Sequence, residues 1–419
     1  MTHHIPQKPQ KRRRDIYVAV THTSHTLDNT GIQRVTRCLC RALEQDYPAA
    51  SFVSWNEGLG MLTPLEKQQT ECLSAYCGPV NTEPKTDVKV APGWISHLPI
   101  PRVYRRKVRE AWRRRNARFK FRKGGYLVIP EWVTGPQMLA LVNFAAKKGL
   151  FTVAIFHDAI AIDHPDLVSA KFRENHMAYL KAMTRCDLVL ANSRHSWKRF
   201  QRFVKEDGEG NPIVDYVELA GEIPGVERHV EANFLDGTIR ALCVGSLDPR
   251  KNHQRLIKAF EYVWKQYPDM KLELVLVGGQ YDPNSDLSAW VESKVKAHDR
   301  LIWLGRVSDE VLAEQYAACH FTCFPSLVEG FGIPLLESLW FGRPCLCSDQ
   351  DVVGDLAQRG GCMTCDVMSE DSIAENMLRI ILEPDNYRKL SLEAINRSIR
   401  TWREYGWEFV EKIEGYFDQ

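Results

Sequence analysis

The chain has 419 residues, of which 44% are hydrophobic and 26% are charged, and its formal net charge at pH 7 is +2. This length favours two domains, and the composition is ordinary for a soluble globular protein. No uninterrupted apolar run of about 18 residues occurs, so no transmembrane helix is expected. Residues 1–14 are basic and lack an apolar core, which predicts a disordered basic tail, not a secretory signal, and a cytoplasmic protein.

The twelve cysteines are scattered along the chain, and several lie in apolar segments. Free cysteine behaves there as a small hydrophobic residue, so we expect reduced, structural thiols. Cys362 and Cys365 form the one closely spaced pair, which is weak support for zinc without a second pair. The sequence therefore predicts no metal site.

The first predicted unit is a strand, a loop and a helix. Asp15–Thr21 is apolar and β-branched, and Gly31 begins a segment with apolar residues at helical spacing. Asn29 and Thr30 are suitable caps for this helix. Gln33 and Arg34 are expected to reach a ligand cleft. For Arg34 the alternative is a solvated position on the helix surface.

The next region contains a strongly basic segment. From Trp55 to Ile100 the periodicity is poor, which indicates loops and short strands. Arg102–Lys123 is rich in Lys and Arg with interleaved aromatic residues. Such a segment suits an anionic membrane surface or nucleic acid, or it forms a mobile, solvated basic loop.

Two further buried strands follow, Gly125–Pro130 and Leu150–Phe156. The second ends in His157 and Asp158, which places them where open α/β sheets bind ligands. The alternative is a structural His–Asp pair without a ligand. Leu188–Ala191 is another strand, and the following Asn-Ser pair is interpreted mainly as a helix cap.

A second run of alternating strands and helices starts after a Pro- and Gly-containing stretch near Ile223–Val226. The strand Ile239–Val244 leads into Gly245 and the segment Asp248–Asn252, which contains Arg250 and Lys251. Two adjacent cations at a helix start can offset the charge of a diphosphate, Arg by bidentate contacts and Lys as a point charge. The alternative is a solvated turn.

The most informative stretch is Phe324–Asp349, which predicts a strand, a Gly-rich loop, a short helix and a strand. Glu329 lies in the loop and Glu337 in the helix, with seven residues between them. The loop glycines let backbone N–H groups approach a ligand, and the helix N-terminus favours negative charge. An acceptor-only carboxylate suits sugar or ribose hydroxyls.

The E-G-F-G-x-P-x-x-E pattern in this stretch resembles the Glu-x7-Glu motif of retaining glycosyltransferases of family 4, which have the GT-B fold. The resemblance implies an α/β protein with two Rossmann-like domains that face a cleft. It implies an acceptor-binding domain at 15–228, a nucleotide-sugar-binding domain at 229–398, and a C-terminal helix at 399–419 that packs on the first domain. The aromatic residues of that helix are expected to serve packing.

The resemblance also implies roles for individual residues. Glu329 would contact the donor sugar, Glu337 the ribose, and Arg250 and Lys251 the diphosphate, while His157 would line the acceptor side. The further donor-binding candidates are Gly31, Gly245, Val307, Gly330, Phe331 and Gly332. Many relatives carry two adjacent glycines in the first loop, and Thr30 replaces one of them here.

The implied activity is transfer of a hexose from a nucleotide diphosphate sugar to a glycan or lipid-linked acceptor in polysaccharide biosynthesis. Mannose from GDP-mannose is favoured, with a UDP-sugar as the other donor, and neither a metal nor a cofactor is implied. Arg102–Lys123 would dock onto the cytoplasmic face of a membrane, and no nucleic acid partner is expected. The alternatives are a sugar-nucleotide epimerase, a phosphorylase or a non-catalytic nucleotide- or membrane-binding module.

Overall fold

The computed structural model describes residues 14–74, 101, 104, 119–228, 231, 235 and 237–417, and these form two α/β units, each built on one sheet. The strands of the first unit are β1 (Ile16–Ala19), β2 (Ala50–Asn56), β3 (Met61–Pro64), β4 (Tyr126–Ile129), β5 (Phe151–Phe156), β6 (Leu188–Ala191) and β7 (Ile213–Tyr216). Those of the second are β8 (Ile239–Val244), β9 (Leu272–Val277), β10 (Leu301–Trp303), β11 (Phe321–Phe324), β12 (Cys345–Ser348) and β13 (Cys362–Cys365).

Helices cover the faces of both sheets. In the first unit they are α1 (Gly31–Asp46), α2 (Lys67–Ser74), α3 (Gly135–Lys148), α4 (Ile160–Asp163), α5 (Ala170–Met183) and α6 (Arg194–Asp207). In the second they are α7 (His253–Gln266), α8 (Asp286–Ala297), α9 (Asp309–Ala318), α10 (Ile333–Trp340), α11 (Asp351–Ala357), α12 (Glu370–Leu382) and α13 (Pro384–Asn396), and the C-terminal helix α14 (Trp402–Phe417) follows them.

The order of strands in the two sheets determines where ligands can bind. The first sheet has the order β3-β2-β1-β4-β5-β6-β7 and the second β10-β9-β8-β11-β12-β13. All neighbouring strands are parallel except β2 and β3. The order reverses between β1 and β4 in one sheet and between β8 and β11 in the other. Ligands of such sheets bind beyond the carboxyl ends of the strands at these switch points. The predicted fold class is confirmed.

Two regular elements around the start of the poorly periodic region were not predicted. They are strand β2 at Ala50–Asn56, most of which precedes Trp55, and helix α2 at Lys67–Ser74, where loops and short strands were expected. Only some of the residues of β2 are buried, which weakens the alternation on which a strand prediction depends. Strand β3 is antiparallel to β2 at the sheet edge and ends in Pro64, where a missing N–H is tolerated.

The C-terminal helix α14 packs on α1 of the first unit, as predicted. Trp402, Tyr405 and Phe409 are buried, which confirms that the aromatic residues serve packing. A Cβ at Gly406 would lie 2.7 Å from the Cβ of Ala42, so the two helices approach very closely there. The chain therefore returns to its first domain after completing the second sheet.

Most of the basic segment Arg102–Lys123 lies outside the described residues. At its end, Phe119 and Phe121 pack around Tyr17, with ring centroids 5.8 and 4.8 Å from the tyrosine ring. These two aromatic residues therefore belong to the folded domain. Arg14, assigned above to the basic tail, also belongs to it, because it donates hydrogen bonds to the carbonyls of Gly124 and Phe417.

Within the part of the chain that the structure covers, no helix combines the length and the apolar character needed to cross a bilayer. Most of the cysteines described there are buried.

The loop between β1 and α1 is held by a carboxylate from the neighbouring strand end. Glu131, which follows β4, is 2% exposed. Its oxygens accept hydrogen bonds from the backbone N–H of His22 (2.7 Å), the N–H of Thr23 (2.8 Å) and the hydroxyl of Thr23 (2.6 Å). The two loops at this switch point are therefore fixed to each other.

The second half of the same loop is organised by one guanidinium group. Arg37 of α1 is fully buried and donates to the carbonyls of Asp28 (2.6 Å) and Thr26 (2.8 Å) and to the side chain of Asn29 (3.1 Å). These contacts set the path of the chain into the N-terminus of α1. Arg37 was not singled out from the sequence, since a lysine or arginine on a helix is usually solvated.

We expect Arg37→Met to lower the free energy of unfolding by about 3 kcal/mol or more, because several buried carbonyl groups would lose a charged donor. The measurement is chemical denaturation of the variant and the wild type. Gln45→Met on the exposed side of the same helix is the matched control and should stay within about 0.5 kcal/mol of the wild type. Equal stability of the two variants would contradict the role given to Arg37.

Candidate functional site

The loops at the β8/β11 switch point bring three predicted site residues into contact. Lys251 Nζ forms an ion pair with one Glu329 oxygen, and Arg250 Nη1 donates to the other at 3.0 Å. Arg250 Nε also donates to Asp248 at 3.0 Å. Residues that are 78 and 79 positions apart in sequence therefore form one charged cluster.

The electrostatics of this cluster keep Glu329 ionised. Burial alone would raise the pKa of Glu329, but the Lys251 and Arg250 cations outweigh that effect and lower the pKa to about 2. The acidic neighbours Glu329, Asp248 and Asp158 raise the pKa of Arg250 against the effect of its burial. Lys251 has three N–H donors, and its contact with Glu329 uses one of them. The cluster can therefore bind further anionic or hydroxyl groups.

Asn252 fastens the two loops of the cluster together. It adopts a left-handed backbone conformation, with φ of 61°, and is 4% exposed. Its side-chain amide donates to the carbonyls of Pro325 (3.2 Å) and Val367 (2.7 Å), and the N–H of Leu327 donates to the carbonyl of Arg250 (2.8 Å). The position of Arg250 and Lys251 relative to Glu329 is thus set by the backbone.

The Gly-rich loop makes direct contact with the first domain. A Cβ at Gly330 would lie 2.5 Å from the carbonyl oxygen of His157 and 3.0 Å from the Cβ of Asp158. The hydroxyls of Ser193 and Ser196 both donate to the Gly330 carbonyl at 3.1 Å. This position therefore requires glycine because the loops of two domains meet there.

The rest of this loop leads into helix α10. Gly332 has a φ of 139°, a conformation that residues with a side chain rarely adopt. Phe331 is buried, and Pro334 occupies the first turn of the helix, as the sequence predicted. The path of the chain thus turns Glu329 toward the cations and Glu337 toward the interdomain contact.

Glu337 is 1% exposed and is bound from both domains. Its Oε1 accepts from Arg34 Nη1 at 2.7 Å, and its Oε2 accepts from the hydroxyl of Tyr316 at 2.9 Å. Arg34 Nη2 also donates to Asp309 at 2.8 Å. Arg34 therefore reaches across to the second domain. It is not a solvated residue on the surface of its helix.

Gln33 does not serve the cleft in this structure. Its side-chain oxygen accepts a hydrogen bond from the backbone N–H of Thr30 at 2.9 Å, which caps the start of α1. The expectation that Gln33 reaches the cleft was therefore wrong, because a polar residue three positions after the cap is well placed to bond back to it.

His157 lies at the carboxyl end of β5 and is 8% exposed. Its Nε2 bonds to the carbonyl of Pro130 at 2.7 Å, so this nitrogen carries the proton. Burial lowers the pKa of His157, and the neutral ring is favoured. Its neighbour Asp158 accepts a hydrogen bond from the N–H of Ile160 at 3.0 Å. The structure thus places both residues beside the Gly-rich loop.

The remaining candidates lie in, or at the end of, loops that follow strands β1, β8 and β10. Gly31 is the first residue of α1, and a Cβ there would meet no atom within 4 Å. Gly245 follows β8 and lies against the stem of Lys251. A Cβ added at Gly245 would lie 3.5 Å from the Cδ of Lys251. Val307 is half-buried in the turn between β10 and α9. The Trp303 indole donates to the Gly278 carbonyl at 2.9 Å and ties this turn to the loop after β9.

A cavity of about 410 Å³ adjoins the Gly-rich loop on the side of β6 and β12. An ion pair between the domains, Arg359 with Glu218 at 2.8 Å, forms part of its wall. Its lining mixes charged groups, hydroxyl and amide groups and one aromatic ring, and consists of Ser193, Arg194, His195, Glu218, Phe331, Val352, Asp355, Leu356, Gln358 and Arg359.

Sequence reasoning missed several residues of the site. Asp309, Tyr316 and Ser196 gave no signal because their contacts are with residues far away in the chain. Asn252 was noted only as part of a motif. The available clue was its residue type, because Asn tolerates the left-handed conformation found here better than most residues do.

Residues 227–397 match the model of the family described as glycosyl transferases group 1. The chain is 24% identical over 237 residues to a serotype-specific mannosyltransferase, WbdA, of Escherichia coli, covering 53% of this chain and 29% of that protein. It is 31% identical over 172 residues to O-antigen chain mannosyltransferase B of E. coli, covering 40% of this chain and 42% of that protein. The chain thus spans less than half the length of each of these relatives.

Solved structures show the same fold over almost the whole chain. Sucrose-phosphate synthase from Thermosynechococcus elongatus aligns with a TM-score of 0.67 and 18% identity, covering 97% of this chain and all of that one. The Anabaena protein HepE, solved in complex with UDP, aligns with a TM-score of 0.62 and 14% identity over 96% of this chain and all of that one. The chain therefore has the GT-B fold, with one Rossmann-like sheet in each unit, and its second unit carries the match to the glycosyl transferases group 1 family.

Proposed function

We propose that this protein is a retaining glycosyltransferase that moves a hexose from a nucleoside diphosphate sugar to a glycan or lipid-linked acceptor in polysaccharide biosynthesis. The observation that carries the proposal is the cluster of Arg250, Lys251 and Glu329 at the β8/β11 switch point. Two cations and one ionised carboxylate are held there by buried backbone contacts. This chemistry suits a diphosphate joined to a sugar.

In the proposed complex, Arg250 and Lys251 bind the diphosphate of the donor. Glu329 and the backbone of Gly330–Gly332 bind the sugar, and Glu337 binds the ribose. The donor-binding loops of Gly31, Gly245 and Val307 surround the same cleft. We retain the division into domains at 15–228, 229–398 and 399–419 as part of this proposal.

The proposed reaction proceeds by attack on the face from which the diphosphate leaves. The acceptor oxygen forms a bond to the anomeric carbon, the bond from that carbon to the diphosphate oxygen breaks, and the acceptor proton passes to the leaving phosphate. The contribution of the protein is to stabilise charge on the departing diphosphate, which Lys251 and Arg250 can do without a metal ion. His157 borders the acceptor side as a neutral ring.

The cavity beside the Gly-rich loop is the place we propose for part of the acceptor. Its volume of about 410 Å³ and its mixture of carboxylates, cations and one aromatic ring suit a sugar unit. Phe331 lines this cavity and belongs to the loop that would hold the donor sugar. A hydroxyl group bound there would approach the donor from the first domain.

Mannose is the sugar we propose, with GDP-mannose as its donor. The P-R-K-N segment at Pro249–Asn252 and the similarity to two E. coli mannosyltransferases support this choice. A UDP-sugar is the other candidate donor. Docking to an anionic membrane through Arg102–Lys123 remains a prediction from the sequence.

The first test is a thermal-shift measurement with GDP, UDP, dTDP and ADP, each in the presence of EDTA. We expect one nucleotide, GDP in our proposal, to stabilise the protein by about 2.7 kcal/mol at 100 times its dissociation constant. Incubation of the matching nucleotide sugar with a candidate acceptor then separates a transferase from an epimerase. Absence of any shift, together with absence of transfer, would contradict the proposed function.

A further inference from the structure

A buried polar link between the two domains is the contact of Arg34 with two carboxylates. Arg34 lies on α1 and is 8% exposed, while Glu337 and Asp309 belong to the second domain and are 1% and 8% exposed. The guanidinium group bridges them at 2.7 and 2.8 Å. A planar guanidinium suits this bridging geometry, which a lysine cannot reproduce.

The position of Arg34 within its own helix is electrostatically unfavourable. It is the fourth residue of α1, where the positive end of the helix dipole disfavours a cation. A residue that breaks a local rule usually serves a contact elsewhere. Here the contact that compensates for the position is the pair of carboxylates on the opposite domain.

Arg34 offsets part of the cost of burying the two carboxylates, although the pKa of each stays raised. Burial raises the pKa values of both Glu337 and Asp309, and Arg34 opposes that rise in each case. Tyr316 also donates to Glu337. Without Arg34, two buried carboxylates would share one site with no cation, and at least one of them would tend to bind a proton. A protonated carboxyl is a weaker acceptor for the hydroxyl groups of a ligand.

The site retains acceptor capacity beside the guanidinium. Glu337 accepts two of the roughly four hydrogen bonds that a carboxylate can take. Oδ2 of Asp309 is buried and has no hydrogen-bond partner among the residues that the structure describes. A ligand with neighbouring hydroxyl groups would match these acceptors.

We propose that Arg34 is a positioning residue that makes recognition of the donor ribose depend on contact between the two domains. It orients Glu337 and partly offsets its buried charge, and it does so only while α1 lies against α9 and α10. This inference rests on the proposed function, because it assigns the ribose to Glu337.

The test measures by calorimetry how tightly the protein binds a nucleoside diphosphate and its 2′,3′-dideoxy form. The pair is GDP and dideoxy-GDP, or UDP and dideoxy-UDP if the thermal-shift panel selects UDP. We expect the wild type to prefer the ribonucleotide by about tenfold or more, since the hydroxyl groups bond to an ionised carboxylate. In Arg34→Met the preference should fall to within about twofold, and Arg34→Lys should recover part of it.

Arg403→Met is the matched control, since it removes another arginine that pairs with a carboxylate next to α1's other end, Asp46, at 2.7 Å. It should change the affinities of both nucleotides by the same factor and keep the ribose preference. The inference is overturned if Arg34→Met keeps the wild-type preference, or if the wild type binds both nucleotides equally. Failure of the wild type to bind any nucleotide would instead overturn the proposed function, and this inference with it.

Discussion

Lys251→Ala should reduce turnover by on the order of 10²-fold or more, in analogy with the loss of a donor that stabilises charge on a reacting oxygen. Lys251 is the cation that contacts Glu329 most closely, and its ammonium lies 5.3 Å from the centre of the Phe324 ring. Its stem also lies against Gly245, so the group is held in one place. The measurement is steady-state transfer from the nucleotide sugar selected by the binding panel.

Two further variants separate catalysis from folding. Lys251→Met keeps most of the apolar stem and should lose as much turnover as the alanine variant while it unfolds at a similar temperature to the wild type. Lys258→Ala removes an exposed lysine on α7 that pairs with Glu370 at 2.9 Å, and it should keep wild-type turnover. Near-normal turnover of both Lys251 variants would be incompatible with the role we assign to this cation.

Gly330→Ala should have a comparable effect for a steric reason. The added Cβ would lie 2.5 Å from the His157 carbonyl oxygen, which belongs to the backbone and cannot move aside freely. The Gly-rich loop and the first domain would have to separate. Because a displacement of about 1 Å near reacting atoms can cost on the order of 10²-fold in rate, we expect a loss of that size in turnover.

Gly415→Ala is the control for the effect of alanine at a glycine. Gly415 is an exposed residue of α14, and an added Cβ would meet no atom within 4 Å. Turnover should be unchanged, and helix propensity should make this variant slightly more stable, by up to about 1 kcal/mol. If Gly330→Ala retains wild-type turnover, the loops do not need to meet as closely as the structure has them.

The local patterns of the sequence were sufficient to predict the fold and to identify the residues of the charged cluster, although not their contacts. Buried strands such as Phe151–Phe156 carry a continuous apolar run, and the glycines and proline around Glu329 define a turn into a helix. Alternation of such strands with helices predicts two parallel sheets, and ligand loops then follow from the strand ends. Arg250, Lys251 and Glu329 each lie in such a loop after a strand, which marks them as candidate ligand-binding residues.

Contacts between distant segments could not be predicted. The pairing of Arg34 with Glu337 joins residues 303 positions apart, and the pairing with Asp309 joins residues 275 apart. On a helix alone, Arg34 fits a solvated surface as well as a cleft. Arg37 presents the same difficulty, because its five-donor group contacts a loop that lies before it in the chain and also the Cys72 carbonyl, 35 positions after it.

The sequence by itself determined which segments form strands and helices, and it placed a charged, glycine-rich loop at the strand ends, because periodicity and turn chemistry act over a few residues. Only the tertiary structure decided which charges meet, since burial makes an unpaired charge costly and so selects partners across the domain boundary. Glu337 is the clearest case: the sequence marks it as an acceptor, and the fold gives it an arginine from the other domain.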